Sequence, residues 1–368
     1  MIQALHEKAE WNIIIFINYK VVTTGTMHLL TPVRATYEED IRVRHDFLNS
    51  ARDLFEVGFE VILPGGYEGD LKQSDTIRRN LAEYSENDGF FLALHAPLER
   101  TNYQESPMDL TTERGMDTLI EVLRLANQIN ARIVNVHSEY MRTEDALLGV
   151  YYDDIKLRLR EAIVKNIAGA YTAASYRGII ALENSPLPAM GDDHSFKSKE
   201  AMLFEPLIDS PYGMKFFSDR GTYLCFDTCH ADITARTLSA MVEGSDPRFG
   251  ALELSDVYNL PIAETMPEPM TATLKGLNTV KYIHFSASRG LWIPGKESFE
   301  EGVVPGEGES SDELARVLQY AFVKNVPLLL EVNDKDKQNL LESRRGLAFI
   351  IRTIQKEMKI TRTETVNS

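Results

Sequence analysis

The sequence has few cysteines and no long apolar run. Cys225 and Cys229 are the only two cysteines in 368 residues, too few for a disulfide framework or a Cys-rich zinc module. The longest apolar runs, such as Ile13–Ile17, have the length of a strand, and residues 1–10 lack the basic start and apolar stretch of a signal peptide. We therefore expect reduced thiols and a cytoplasmic protein that does not enter a membrane.

Basic residues are also outnumbered by acidic residues. The chain has 39 Lys and Arg residues against 55 Asp and Glu residues, which gives a formal net charge of -16. An acidic balance disfavours non-specific binding to nucleic acid, although the net charge says little about the charge of a local groove. The length rules out a small scaffold and allows either one large barrel or two average domains.

Short apolar runs alternate with helical patterns along the chain, which is typical of βα units around a parallel sheet. The eight predicted strands are Trp11–Ile17, Phe59–Leu63, Phe90–His95, Arg132–His137, Gly178–Glu183, Thr222–Asp227, Lys281–Phe285 and Val326–Glu331. The clearest predicted helices are Tyr37–Val57, Thr112–Ile129, Asp153–Ala174, Ser311–Lys324 and Asp336–Met358. This α/β order predicts a single (β/α)8 TIM barrel over residues 1–358, with a doubly wound open sheet as the alternative.

The main irregular segments are 184–194, 243–278 and 286–309. Residues 243–278 are rich in Pro, Met and Thr and are expected to form an insertion beside the barrel. Residues 286–309 are rich in glycine and are expected to form a mobile lid loop at the carboxyl-terminal face, while 359–368 are expected to be a frayed tail. Ser310 and Glu313 have the spacing of a capping box at the start of a helix.

A polar residue lies at or beside the carboxyl end of six successive predicted strands. These residues are His95, His137, Glu183, Asp227, His284 and Glu331. They are 42, 46, 44, 57 and 47 residues apart, close to one βα unit each, so a closed barrel would bring all six to one mouth. His230, three residues after Asp227, is a seventh candidate.

Imidazoles and carboxylates without cysteine suit a divalent metal ion: Zn²⁺, Mn²⁺, Co²⁺ or Mg²⁺. Several carboxylates buried together would repel one another unless a cation offsets their charge. Taken singly, His95 or His137 also fits an ordinary core or surface histidine, whereas Glu183, at the end of an apolar run, is harder to explain without a partner.

Other polar residues are weaker candidates. His28 and His194 fit surface loops, although either could reach the mouth. Gly306 and Gly308 could bind phosphate through backbone amides, or could simply precede a helix cap. Lys296, Arg289 and Lys281 are the nearest basic residues for an anionic substrate, and scattered solvated charge explains them equally well.

The motifs around these residues resemble the xylose isomerase-like TIM-barrel superfamily over nearly the whole chain. The matching stretches are Leu94-His95-Ala96-Pro97, Val134-Asn135-Val136-His137, Ala181-Leu182-Glu183-Asn184, Phe226-Asp227-Thr228-Cys229-His230, Tyr282-Ile283-His284, Gly306-Glu307-Gly308 and Leu330-Glu331. This superfamily includes sugar isomerases and epimerases and apurinic endonucleases of the endonuclease-four type.

The epimerase branch of the resemblance implies one divalent ion held by Glu183, Asp227, His284 and Glu331. In that branch Glu183 and Glu331 also exchange protons with substrate carbon through a metal-stabilised enediolate, and His230 contacts substrate hydroxyls. The implied substrate is a small sugar, sugar phosphate or related polyhydroxy carbonyl compound. Assembly into homodimers or homotetramers is a further implication of the resemblance.

The endonuclease branch implies a zinc phosphodiesterase that acts on apurinic DNA. There His95, His137 and Glu183 hold a further ion, and His230 belongs to a third site. The chain departs from that branch because Glu300 and Gly302 stand where its Asp-x-His pair is expected, and glycine has no side-chain ligand. The third reading is a catalytically silent barrel, which the complete set of ligand residues disfavours.

Overall fold

Eight parallel strands form a closed barrel. The computed structural model describes residues 27–63, 73–87, 89–97, 109–137, 152–186, 211–243, 268–291 and 299–366. The barrel strands are β1 (His28–Val33), β2 (Glu56–Ile62), β3 (Phe91–His95), β4 (Ile133–His137), β5 (Ile179–Glu183), β6 (Leu224–Asp227), β7 (Val280–Phe285) and β10 (Leu328–Leu330). Each strand pairs with its neighbours in chain order, and β1 closes the ring by pairing with both β2 and β10. The predicted (β/α)8 barrel is therefore confirmed, and the open sheet is excluded.

Helices follow the strands around the outside of the barrel. They are α1 (Glu38–Asn49), α2 (Ser74–Asn80), α3 (Ala82–Ser85), α4 (Glu113–Gln128), α5 (Tyr152–Ala174), α6 (Pro211–Asp219), α7 (Thr228–Val242), α8 (Met270–Gly276), α9 (Ser311–Lys324) and α10 (Leu341–Val366). None of the helices in these described ranges is long and apolar enough to cross a membrane.

The first barrel strand differs from the predicted one. His28–Val33 occupies the position assigned to Trp11–Ile17, which lies outside the described residues. Pro32 makes the observed strand a poor candidate by sequence because proline gives no amide to a strand ladder. The helix predicted over Tyr37–Val57 was also too long, since it ends at Asn49 and β2 already begins at Glu56.

Alternation along the strands separates two apolar layers. One face of each strand packs against the helices, as Leu29 and Phe59 do. The other face fills the barrel interior with a small cluster of buried side chains: Leu30, Phe91, Ala93, Ile133, Ala181, Cys225, Tyr282 and Leu329. This interior cluster is the apolar floor beneath the mouth.

A short antiparallel ribbon follows β7. It consists of β8 (Ala287–Gly290) and β9 (Phe299–Val303), two strands in a stretch that we expected to be a loop. The lid proposed over 286–309 and the insertion over 243–278 stay predictions, although α8 already gives the end of the second segment a regular helix. The last helix runs to Val366, past Met358, where the helical pattern was expected to end.

The predicted capping box does not form. Ser310 is the residue before α9, but its hydroxyl donates to Asp232 of α7 and no side-chain cap is made. The Glu313 carboxylate instead accepts hydrogen bonds from the Thr271 amide at 3.0 Å and from its hydroxyl at 2.6 Å. Tertiary partners on α7 and α8 therefore replace the local bonds that the sequence suggested.

A buried ion pair, with the hydrogen bonds of its carboxylate, connects the first helix to the last. Arg44 of α1 lies 3.6 Å from the Asp334 carboxylate and donates to Thr31 of β1 at 3.2 Å. Asp334 also accepts from the Ser343 amide at 2.9 Å and from its hydroxyl at 2.5 Å, close to the start of α10. Asp334 thus satisfies an otherwise unpaired amide of a helix start and neutralises a buried arginine.

We predict that Asp334→Ala lowers the free energy of unfolding by about 3 kcal/mol, because it leaves a buried guanidinium with less compensation and an amide unpaired. Chemical denaturation monitored by circular dichroism measures the change. Asp219→Ala is the matched control. The Asp219 carboxylate lies 2.9 Å from Lys215 Nζ, but both side chains are exposed, and an exposed pair contributes less than about 1 kcal/mol. Equal losses in the two variants would contradict the assignment.

Candidate metal centre

The polar side chains at the mouth lie one step above the apolar floor. Moving two residues toward the carboxyl end of a strand stays on the same face. From floor residues Ala93, Ile133, Ala181, Cys225, Tyr282 and Leu329 this step leads to His95, Asn135, Glu183, Asp227, His284 and Glu331. The barrel thus brings together His95, Glu183, Asp227, His284 and Glu331 as predicted, and the next step on β4 adds His137.

His284 lies at the centre of this group and is fully buried. Its Nδ1 atom is 3.0 Å from Glu331 Oε2, 3.4 Å from Glu183 Oε1 and 3.9 Å from Asp227 Oδ2. Its Nε2 atom faces the opposite way, 3.1 Å from Glu60 Oε2. One imidazole therefore contacts four carboxylates from four strands.

A second group gathers around the other oxygen of Glu183. His137 Nε2 lies 3.1 Å and His95 Nε2 lies 3.6 Å from Glu183 Oε2. His95 Nδ1 is 2.7 Å from the carbonyl of Ala96, which fixes its proton there and leaves Nε2 free to bind. The amide of Asn135 also donates to Glu183 Oε2.

His230 reaches the same mouth from the first turn of α7. Its amide donates to Asp227 Oδ1 at 2.7 Å, and its Nδ1 lies 2.7 Å from the carbonyl of Asn184. The Asn184 side chain in turn bonds both backbone groups of Asp227, at 2.8 and 3.0 Å. These contacts leave His230 Nε2 directed toward Glu301 Oε1 at 3.8 Å.

The ribbon places Glu301, rather than Glu300, beside His230. Glu300 points away and pairs with Arg289 at 2.9 Å. Gly302 has φ +65°, in the left-handed region that favours glycine. A Cβ there would also lie 2.6 Å from the side-chain nitrogen of Asn333 and 3.1 Å from its backbone nitrogen. Gly302 offers no side-chain ligand and Glu300 pairs with Arg289, so Glu301 is the carboxylate of this stretch that faces His230.

Burial and neighbouring charge shift the pKa values of the histidines. Burial lowers the pKa of His95, but a hydrogen bond to Glu183 and the charges of Glu60 and Glu183 raise it to about 9. Burial dominates for His137 and lowers its pKa. For His284 the surrounding acids outweigh burial, and its pKa is raised well above the usual value.

The pKa values of the carboxylates are also shifted in opposite directions. Burial raises the pKa of Asp227 to about 7, with added repulsion from Glu183 and Glu331. The pKa of Glu183 is held well below its usual value because His137 and His284 outweigh its burial. The cluster therefore binds protons on imidazole to balance its acids, a balance that a divalent cation would also provide.

The donor set fits such a cation. Among the described residues, no atom makes a hydrogen bond to the buried His284 Nδ1, although it faces three carboxylates. Potential ligand atoms within 4.8 Å of one another occur in five overlapping groups among the described residues: His95, His137 and Glu183; Glu183, Asp227 and His230; Asp227, His284 and Glu331; Glu60, His95 and His284; and Glu183, Cys225 and His284. Nitrogen and carboxylate oxygen at this density suit Zn²⁺, Mn²⁺ or Co²⁺.

The weaker candidates do not join the group. His28 begins β1 at the opposite end of the barrel, 3.1 Å from Glu56, and Lys281 is exposed near Tyr223 at the start of β7. Arg289 forms an ion pair with Glu300. Lys296 and His194 lie outside the described residues.

The two glycines of the expected phosphate loop have packing roles. A Cβ on Gly306, where φ is +92°, would lie 2.7 Å from the Phe349 ring, and one on Gly308 would lie 2.6 Å from the Ser288 carbonyl. A phosphate site at this loop stays a prediction.

Three residues at the mouth were missed by the sequence analysis. Asn135 alternates onto the face of His137, a signal that was available in the strand pattern. Glu60 interrupts an apolar strand and is fully buried, and an isolated carboxylate in such a run was the available signal. Glu301 had no signal, because its position depends on the turn at Gly302.

Comparison with known proteins identifies the fold. No family model matches the sequence, and no curated protein matches it. Among solved structures, the IolI protein with a bound zinc atom has a TM-score of 0.52 and 12% identity, covering 90% of this chain and 99% of its own. L-ribulose 3-epimerase has a TM-score of 0.50 and 12% identity, covering 94% and 99%. Endonuclease IV from Thermus thermophilus has a TM-score of 0.49 and 15% identity, covering 89% and 100%.

The matches to the IolI protein and to L-ribulose 3-epimerase span nearly the full length of both chains, and at 12% identity they report on the fold alone. Together with the closed ring of eight parallel strands, they show that this chain has the (β/α)8 TIM-barrel fold.

Proposed function

We propose that the protein is a divalent-metal-dependent isomerase or epimerase of a sugar or related polyhydroxy carbonyl compound. The observation that carries the proposal is the pair of carboxylates, Glu183 and Glu331, that approach His284 Nδ1 at 3.4 and 3.0 Å. They come from β5 and β10, which are separated in the barrel wall by the strands that carry Asp227 and His284. Two carboxylates around one centre suit proton removal and proton return.

In this proposal Glu183, Asp227, His284 and Glu331 hold the ion. When bound, the ion would polarise the substrate carbonyl as a Lewis acid. One of the two glutamates takes a proton from the carbon next to that carbonyl, and the other returns a proton to the neighbouring carbon or to the other face. His230, with Nε2 free of backbone contacts, binds a substrate hydroxyl.

The solved structures agree with this proposal without establishing it. A zinc-bound IolI protein and an L-ribulose 3-epimerase share the fold, but at 12% identity the likeness extends to the fold alone. The proposal therefore rests on the side chains of this chain. The cytoplasmic location and the homo-oligomer stay predictions.

A zinc phosphodiesterase is the second candidate, and one observation favours it. Glu183 Oε2 faces both His95 and His137, so Glu183 could bridge two ions. Glu301 Oε1 lies 3.8 Å from His230 Nε2, so a carboxylate stands beside His230 even though Gly302 offers no ligand. Nucleic acid is the implied partner under this candidate only.

We predict that the protein purified without chelator retains about one exchangeable divalent ion per chain, measured by elemental analysis. Asp227→Asn should abolish retention, because it removes a charged ligand from the buried group. Two or more tightly held zinc ions per chain would instead favour the phosphodiesterase, and cleavage of an abasic-site oligonucleotide would then be the assay. No retained ion and no Mn²⁺ or Zn²⁺ binding would contradict both candidates.

We predict that Glu183→Gln and Glu331→Gln each reduce turnover about 10²- to 10⁴-fold at saturating Mn²⁺, because each removes a group that transfers a proton. A panel of ketoses and aldoses incubated in D2O, read by NMR, should show deuterium entering the product only with active enzyme. The matched control is Glu161→Gln, an exposed carboxylate on α5. Full turnover in either mouth variant, with the ion bound, would contradict the assigned roles.

A further inference from the structure

We propose that Glu60 is a positioning residue that orients His284 for the metal ion. This inference rests on the metal site of the proposed function, and it assigns a role to a strand, β2, that supplies none of the proposed ligands. The role is exerted through the imidazole of His284.

The contact between the two residues crosses the barrel. Strand β2 is separated from β7 by β1 and β10 in the ring, so the pair meets in the interior and not along the wall. Glu60 Oε2 lies 3.1 Å from His284 Nε2, and both side chains are completely buried. The contact is shielded from solvent, and it holds the ring at the nitrogen that the other three carboxylates do not face.

The contact determines which nitrogen carries the proton. We assign the proton of this contact to Nε2, with the Glu60 oxygen 3.1 Å away as its acceptor. The Asn135 amide nitrogen is also 3.4 Å from Nε2, but it is a donor that is bonded to Glu183. Neutral imidazole protonated on Nε2 has its lone pair on Nδ1, the atom that faces Glu183, Asp227 and Glu331.

A purely structural role does not explain Glu60. Its second oxygen, Oε1, is buried without a hydrogen-bond partner among the described residues. The side chain lies level with the floor residue Ala93 and beside Tyr282, where a buried carboxylate costs stability. Carboxylates that accept the second N–H of a metal-bound imidazole are a recurrent feature of metal sites, and they strengthen the ligand.

The test measures metal binding to the full chain. Wild type, Glu60→Gln and Glu60→Leu are titrated with Mn²⁺ and, separately, with Zn²⁺ by isothermal calorimetry. We expect Glu60→Leu to weaken binding about 10- to 100-fold. Glu60→Gln should weaken it less, because the amide oxygen still accepts from Nε2. Thermal unfolding of the metal-free variants should be unchanged or shifted to higher temperature.

Two controls separate positioning from general damage. Glu56→Gln makes the same change on the same strand and also removes a carboxylate next to a histidine, since Glu56 lies 3.1 Å from His28 at the far end of the barrel. It should leave the dissociation constant unchanged. In a His284→Gln background, Glu60→Leu should have no further effect on binding.

Each failure has its own signature. Absence of Mn²⁺ and Zn²⁺ binding by wild type would overturn the proposed function itself. Wild-type binding with equally tight binding by Glu60→Leu would overturn only the role of Glu60. Weaker binding that persists in the His284→Gln background, together with earlier unfolding of the metal-free protein, would show a structural role instead.

Discussion

Charge balance at the barrel mouth is the constraint on which the rest of the site depends. Glu60, Glu183, Asp227 and Glu331 all approach the imidazole of His284, above a floor whose polar groups are the Tyr282 hydroxyl and the Cys225 thiol. Such a group is stable only when protons or a cation neutralise part of its charge. The neighbouring acids raise the pKa of His284 well above its usual value despite its burial, which favours a charged imidazolium as one such counter-charge. The same balance makes the group a binding site for a divalent ion.

The strand ends could be predicted from sequence because each one is a local pattern. A polar residue that closes a short apolar run, as Glu183 and His284 do, is recognisable by itself, and the βα spacing then places the ends together. The first strand could not be predicted in this way. Pro32 weakens its pattern, while Trp11–Ile17 reads as a better strand, so only the closed pairing of β1 with its neighbours identifies it.

Contacts between strands far apart in the sequence could not be predicted from residue spacing. Glu60 and His284 are 224 residues apart, and nothing local in either strand indicates that they face each other across the interior. Glu301 depends on a different kind of information. The left-handed turn at Gly302 and a hydrogen bond of 2.9 Å from the Asn333 side chain to the Glu301 carbonyl set the register of the ribbon. A shift of one residue there would have turned Glu300 toward His230.

The two oxygens of Glu183 bear on the choice between one ion and several. Oε1 lies 3.4 Å from His284 and 3.5 Å from His230, longer than a good hydrogen bond, so it is available to an ion. Glu183 forms one ligand group with Asp227 and His230, and Asp227 also belongs to the group of His284 and Glu331. Oε2 faces His95 and His137 but already accepts the Asn135 amide. An ion in that second group would share Oε2 with the Asn135 amide, which takes one of its lone pairs, whereas an ion in the first group would have Oε1 to itself. This asymmetry favours occupation of the His284 group first, and with it the isomerase reading over a fully loaded phosphodiesterase.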